Sequence, residues 1–149
     1  MARAIWTGSI TFGLVSIPSQ SAYNSAKFAV RGFTDALRME LEIEGAPVSS
    51  TTVHPGGVKT NIARRARVDD SVADLSGGDS IGDEFDRIAM TRPAKAANQI
   101  LAGVAANKRR VLVGPDAKVI DFVSRLPAAF YQNVLIRGAR RNARARGAN

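Results

Sequence analysis

Tyr23 and Lys27 stand four residues apart in SAYNSAKFAV, a segment with helical periodicity. On a helix, positions i and i+4 share a face with their Cβ atoms about 6 Å apart, so a phenol and an ammonium at that spacing can work together. A free phenol, with a pKa near ~10, is a poor proton donor or acceptor at neutral pH. A neighbouring ammonium favours the phenolate, so Lys27 is expected to lower the Tyr23 pKa and make the phenol a usable general acid or base. Two tyrosines and five lysines in 149 residues make a chance YxxxK uncommon, yet the spacing alone does not decide the matter.

The elements that must position this pair follow from periodicity and punctuation. ARAIWTGSI, rich in β-formers, predicts a strand over residues 3–10, followed by a loop at GLVSIPSQS. Ser21 to Glu44 predicts a long helix: Ala22, Ala26, Phe28, Phe33, Leu37 and Leu41 recur at helical spacing, and Gly45 lies just past the end. VSSTTVHP, ending at Pro55, reads as a buried parallel strand, and PGGVKT as the tight loop after it. Residues 61–90 are polar and Gly-punctuated, as in a mobile segment with one or two short helices. Arg92-Pro93 opens a further helix, RRVLVG (109–114) is a short strand, and Ala117 to Ile136 holds two short helices broken at Pro127. The alternation of strand and helix predicts right-handed βαβ crossovers and an α/β fold around a parallel sheet of about three strands.

Composition narrows the function classes. The chain suits one globular domain, with 45% hydrophobic and 23% charged residues. It contains no cysteine, which excludes disulfides and thiolate chemistry and points to a reducing cytoplasm. One histidine, His54, leaves little scope for a zinc site or a Ser-His-Asp triad; at a strand end it reads as structural, and no metal site is expected. No apolar run reaches the length of a membrane span, and no signal-peptide pattern is evident. Of the net charge of +8, the last 13 residues supply +5, so residues 137–149 read as a basic disordered tail. VIDFVSRLPAAFYQNVLI, residues 119–136, carries a broad apolar face, which fits a cap over the substrate site, a homo-oligomer contact or a peripheral membrane contact.

From about residue 12 to 136 the chain resembles the C-terminal half of the short-chain dehydrogenase/reductase family. PSQSAYNSAKFAVRGFTDALRMEL is similar to that family's catalytic helix, and VSSTTVHPGGVKTNI to its next strand and PGxVxT turn. The resemblance implies a Rossmann-like doubly wound sheet and NAD(P)-dependent oxidation or reduction of a small alcohol or carbonyl substrate. NAD or NADP is the implied cofactor, with a slight preference for NADP. Tyr23 would exchange the proton, and Lys27 would tune it and hydrogen-bond the nicotinamide ribose. Pro55, Gly56, Gly57, Val58 and Thr60 would line the nicotinamide, and residues 61–90 would form the substrate flap.

The resemblance is incomplete on the N-terminal side. A Gly-rich dinucleotide turn between a first strand and helix is missing before Tyr23, so the N-terminal cofactor-binding half is expected to be absent and activity weak or nil. The family's catalytic serine belongs at position 10, which is Ile10; Ser9 is one place early, and a one-residue shift on a strand turns the side chain to the other face. The opening, MARAIWTGSITFGLVSIP, resembles the start of bacterial Ku, a DNA-end-binding protein, which predicts a junction segment over residues 1–18. The alternative function is accordingly DNA binding, through that start or the basic tail.

Overall fold

β-branched and hydroxyl residues in VSSTTVHP favour the extended chain, and this segment becomes the central strand of the fold. The computed structural model describes residues 3–8, for which only the backbone is considered, together with 13–18, 20–61 and 89–146. Its elements are β1 (Arg3–Gly8), α1 (Ser21–Ile43), β2 (Val48–Pro55), α2 (Pro93–Ala105), β3 (Arg110–Val113), α3 (Pro115–Val123) and α4 (Ala128–Arg146). The three strands form one parallel sheet in the order β1-β2-β3. Arg3 pairs with Val48 and Gly8 with Val53, while Thr52 to Pro55 pair with Arg110 to Val113. The predicted parallel α/β arrangement is therefore observed, and the opening residues belong to the sheet.

Alternate residues of β2 face different helices. Val53 joins Val111, Val113 and Ala96 in the buried core, with Val58 and Ile100 packed against it. Ser50 and Thr52, of the opposite parity, meet α1: the Ser50 hydroxyl donates to the Thr34 carbonyl, and the Thr52 hydroxyl donates to the Asp35 carboxylate at 2.9 Å. Helices on both faces are what a doubly wound sheet requires.

The α1 face that meets the sheet is polar, although apolar residues give this helix its sequence periodicity. Asn24, Thr34 and Arg38 are its buried residues, whereas Phe33 and Ile43 are 66% and 85% exposed. Arg38 shows why a charged side chain is tolerated there. Its guanidinium donates to the Ser50 carbonyl and the Asn107 side chain, each at 2.9 Å, and to the Asn107 carbonyl and the Glu42 carboxylate. Thr52 bonds across to the β3 side through Arg109, and Ser50 has the same parity. The Ser50 carbonyl therefore faces the β3 side at a level before β3 has begun, and Arg38 satisfies it.

The termini of α1 follow sequence logic. Gly45, with φ of 64°, ends the helix, and the bonds from Gly45 N–H to Glu42 and from Ala46 N–H to Leu41 make a Schellman cap. Before the helix, the Asn24 side-chain amide donates to the Ile17 carbonyl and Arg31 donates to the Gly13 carbonyl, which fastens the loop at 13–18.

One expectation changes, and two others fall wholly or partly outside the described residues. The first strand is described only to Gly8, and the predicted residues 9 and 10 lie outside the described residues. Most of the expected mobile flap, residues 62–88, also lies outside them. The tail predicted to be disordered from 137 is instead helical as far as Arg146, continuing α4. Alanine and arginine are both strong helix formers, so RGARRNARAR prolongs a helix already nucleated at Ala128.

Candidate active site

α1 runs antiparallel to β2, since Arg38 meets Ser50 while Asp35, three positions earlier on the helix, meets Thr52, two positions later on the strand. Positions 23, 27, 34 and 38 fall on one helical stripe. Tyr23 and Lys27 thus extend the sheet-facing stripe towards the C-terminal edge of the strands. In open α/β sheets that edge is where ligands bind.

The pair is in contact. The Lys27 ammonium lies over the Tyr23 ring, 5.3 Å from its centroid, a cation–π arrangement. Tyr23 is 38% exposed. Partial burial pushes its phenol above the ordinary value, opposite to the lowering expected from the sequence. Burial disfavours the charged phenolate, so the proton is retained at neutral pH.

The turn after β2 is held by three other segments. Gly56 N–H donates to the Val113 carbonyl, and the Gly57 carbonyl accepts from the N–H groups of Met90 and Thr91. Lys59 N–H donates to the Thr91 carbonyl, and Val58 forms a parallel bridge with Thr91. Asp116, in the first turn of α3, accepts a hydrogen bond from Gly57 N–H. These contacts explain the glycines: a Cβ on Gly56 would collide with the Asp116 carboxylate, and one on Gly57 with the Ala89 backbone. Gly114, with φ of 94°, completes the arrangement between Thr91 and Asp116, and its N–H donates to the Gln99 side chain.

The structure therefore places Tyr23 and Lys27 together and builds Pro55, Gly56, Gly57, Val58 and Thr60 into one turn at the same sheet edge. Ser9 lies outside the described residues. His54 is fully buried within β2. Among the described residues no group of three or more His, Cys, Asp or Glu side chains is disposed to hold a metal. Sequence reasoning missed Asp116 as the residue that fixes the turn. Its signal was modest: an acid at the start of a Pro-initiated helix, where the helix dipole favours negative charge. Asn24 was missed too. It is buried beside a pocket of about 400 Å³ lined by Ser16, Ile17, Pro18, Ser21, Ser25 and Phe28, and its Oδ1 has no partner among the described residues.

Comparison with known proteins fits this geometry. Residues 2–71 match the family model for short chain dehydrogenase. The chain is 47% identical over 128 residues to SadH of Mycobacterium tuberculosis, named as an oxidoreductase, covering 85% of this chain and 45% of SadH. It is 37% identical over 109 residues to the uncharacterized oxidoreductase YxnA of Bacillus subtilis, covering 72% of this chain and 28% of YxnA. Among solved structures, a short chain dehydrogenase/reductase from Burkholderia phymatum in complex with NAD superposes with a TM-score of 0.69 at 23% identity, over 92% of this chain and 50% of that one. A short chain dehydrogenase from Burkholderia cenocepacia in complex with NADP gives a TM-score of 0.65 at 19% identity, over 89% and 46%. The chain spans less than half the length of these curated relatives. The family match begins at residue 2 and so takes in the opening segment, and neither the likeness to Ku nor DNA binding finds support in these comparisons. A parallel sheet with helices on both faces, a helix bearing the Tyr23–Lys27 pair and these matches point the same way: the chain is similar to the short-chain dehydrogenase/reductase family, whose model matches residues 2–71.

Proposed function

We propose that this chain carries the proton-transfer residues and the nicotinamide-side turn of an NAD(P)-dependent oxidoreductase acting on a small carbonyl or alcohol substrate. The observation that carries the reading is the Tyr23–Lys27 contact on α1, aligned towards the sheet edge where Asp116 and Thr91 brace the Pro55–Thr60 turn. The braced turn, with no side chain at Gly56 or Gly57, fits a flat ring laid against backbone. When bound, a nicotinamide supplies or accepts the hydride. Tyr23 holds a proton at its phenol oxygen for delivery to the substrate oxygen, and its raised pKa keeps that proton in place until a carbonyl develops negative charge. Lys27 stabilises the charge left on the phenol after transfer. Pro55, Val58 and Thr60 shape the turn.

As an isolated 149-residue chain, the protein is expected to hold the cofactor weakly and to turn over slowly. The residues proposed to bind it engage its nicotinamide end, and much of a dinucleotide's binding arises where a Gly-rich turn receives the pyrophosphate. Titration with NADH and NADPH followed by nucleotide fluorescence tests this, together with turnover of a panel of small aldehydes and ketones by the parent and Tyr23→Phe. Binding weaker than micromolar, with any residual reduction lowered at least about 100-fold by Tyr23→Phe, is the expected result. Reduction that survives Tyr23→Phe unchanged would remove Tyr23 from the chemistry.

A further inference from the structure

We propose that α4, with the exposed face of α3, is a docking surface for an anionic lipid bilayer. Along α4 the residues Phe130, Val134, Arg137, Arg141 and Arg144 follow spacings of four, three, four and three, which puts them on one stripe of the helix. All five are exposed, Phe130 at 58% and Val134 at 55%. The stripe therefore presents apolar side chains in its first half and guanidinium groups in its second. Just before it, α3 exposes Val119 and Phe122, at 61% and 65%. Among the described residues α4 has no extensive packing against any other element.

Charge identifies the occupant. Residues 122–149 contain six arginines and no acidic residue. Two copies meeting through this region would bring like charges together, which disfavours self-association. Nucleic acid would satisfy the arginines but leave Phe122, Phe130 and Val134 in water. An anionic bilayer surface satisfies both: apolar side chains enter the acyl boundary, and arginines on long aliphatic stems stay at the lipid phosphates. No helix among the described residues is long and apolar enough to cross a membrane, which fits a segment lying on the surface.

The experiment is cosedimentation of the full chain with vesicles of phosphatidylglycerol and phosphatidylcholine, and with vesicles of phosphatidylcholine alone, at low and high salt. Binding to the anionic vesicles, weakened by salt, is expected. Replacing Arg137, Arg141 and Arg144 by Gln should lower the partition coefficient on the order of 100-fold, at about fivefold per cation. Lysine at the same three positions should retain most of it, since the surface responds to charge. Phe130→Ser should weaken binding while circular dichroism shows helix content unchanged. Equal partition into both vesicle types, or no binding to either, overturns the proposal. So does a duplex-DNA shift abolished by the Gln variant without vesicle binding, or a dimer in sedimentation analysis that Phe130→Ser dissociates.

Discussion

Replacing Arg38 by Met should separate structural charge from ornamental charge in this fold. Arg38 is 7% exposed and supplies bonds to the Ser50 carbonyl, to both oxygens of Asn107 and to Glu42. Methionine keeps much of the aliphatic stem, so cavity formation is a minor contribution. The Ser50 carbonyl, in a residue with no exposed surface, is left without its donor, at a cost of about 1–3 kcal/mol. Losing the Asn107 bonds, which hold a residue at φ of 52°, adds about 1 kcal/mol. A total of about 3 kcal/mol corresponds to a fall in urea midpoint of about 1.5 M for a domain of this size. Glu42→Gln is the control: Glu42 sits at the surface, and its substitution leaves Arg38 bonded to Ser50 and Asn107. Urea denaturation followed by far-UV circular dichroism should show a large shift for Arg38→Met and almost none for Glu42→Gln. If the two shifts are equal, or Arg38→Met stays within about 1 kcal/mol of the parent, the account of Arg38 as the partner that completes the β2 edge is wrong.

Three further outcomes follow from the same contacts. Asp116→Ala removes the acceptor for Gly57 N–H and should cost about 1–2 kcal/mol in urea denaturation, with faster amide exchange at Gly57; exchange unchanged at Gly57 would show that the turn is held without Asp116. Gly56→Ala should be more damaging than Gly32→Ala, because a Cβ at 56 meets the Asp116 carboxylate while one at 32 meets open space, and comparative melting temperatures test the order. Asp121 gives a pH dependence. Burial raises its carboxyl, but hydrogen bonds and charge from Arg125 and Arg110 outweigh that, and the net direction is downward. A carboxyl with a depressed folded pKa contributes stability above its unfolded value, near ~4, and that contribution is lost as pH falls through the folded value. The stability gap between the parent and Asp121→Asn should therefore be full at neutral pH and close on acidification; a gap that widens below pH ~4 contradicts the assignment.

The sequence alone determined the local elements well, because their signals are local. The β-branched and hydroxyl run placed β2 at its observed bounds, Gly45 marked the end of α1, and Pro93 opened α2. The four-residue spacing of Tyr23 and Lys27 put them on one face, which needs only a helix. Tertiary structure decided what each face meets. The apolar periodicity of α1 did not reveal that Thr34 and Arg38 would pack inward, since that choice depends on the hydroxyls of Ser50 and Thr52 across the interface. Asp116 lies 59 residues from Gly57 in the chain, and only the α3 terminus arriving beside the turn makes it the brace. The direction of the Tyr23 shift was likewise hidden. Spacing brings the ammonium near, but burial, a property of the assembled fold, sets the sign.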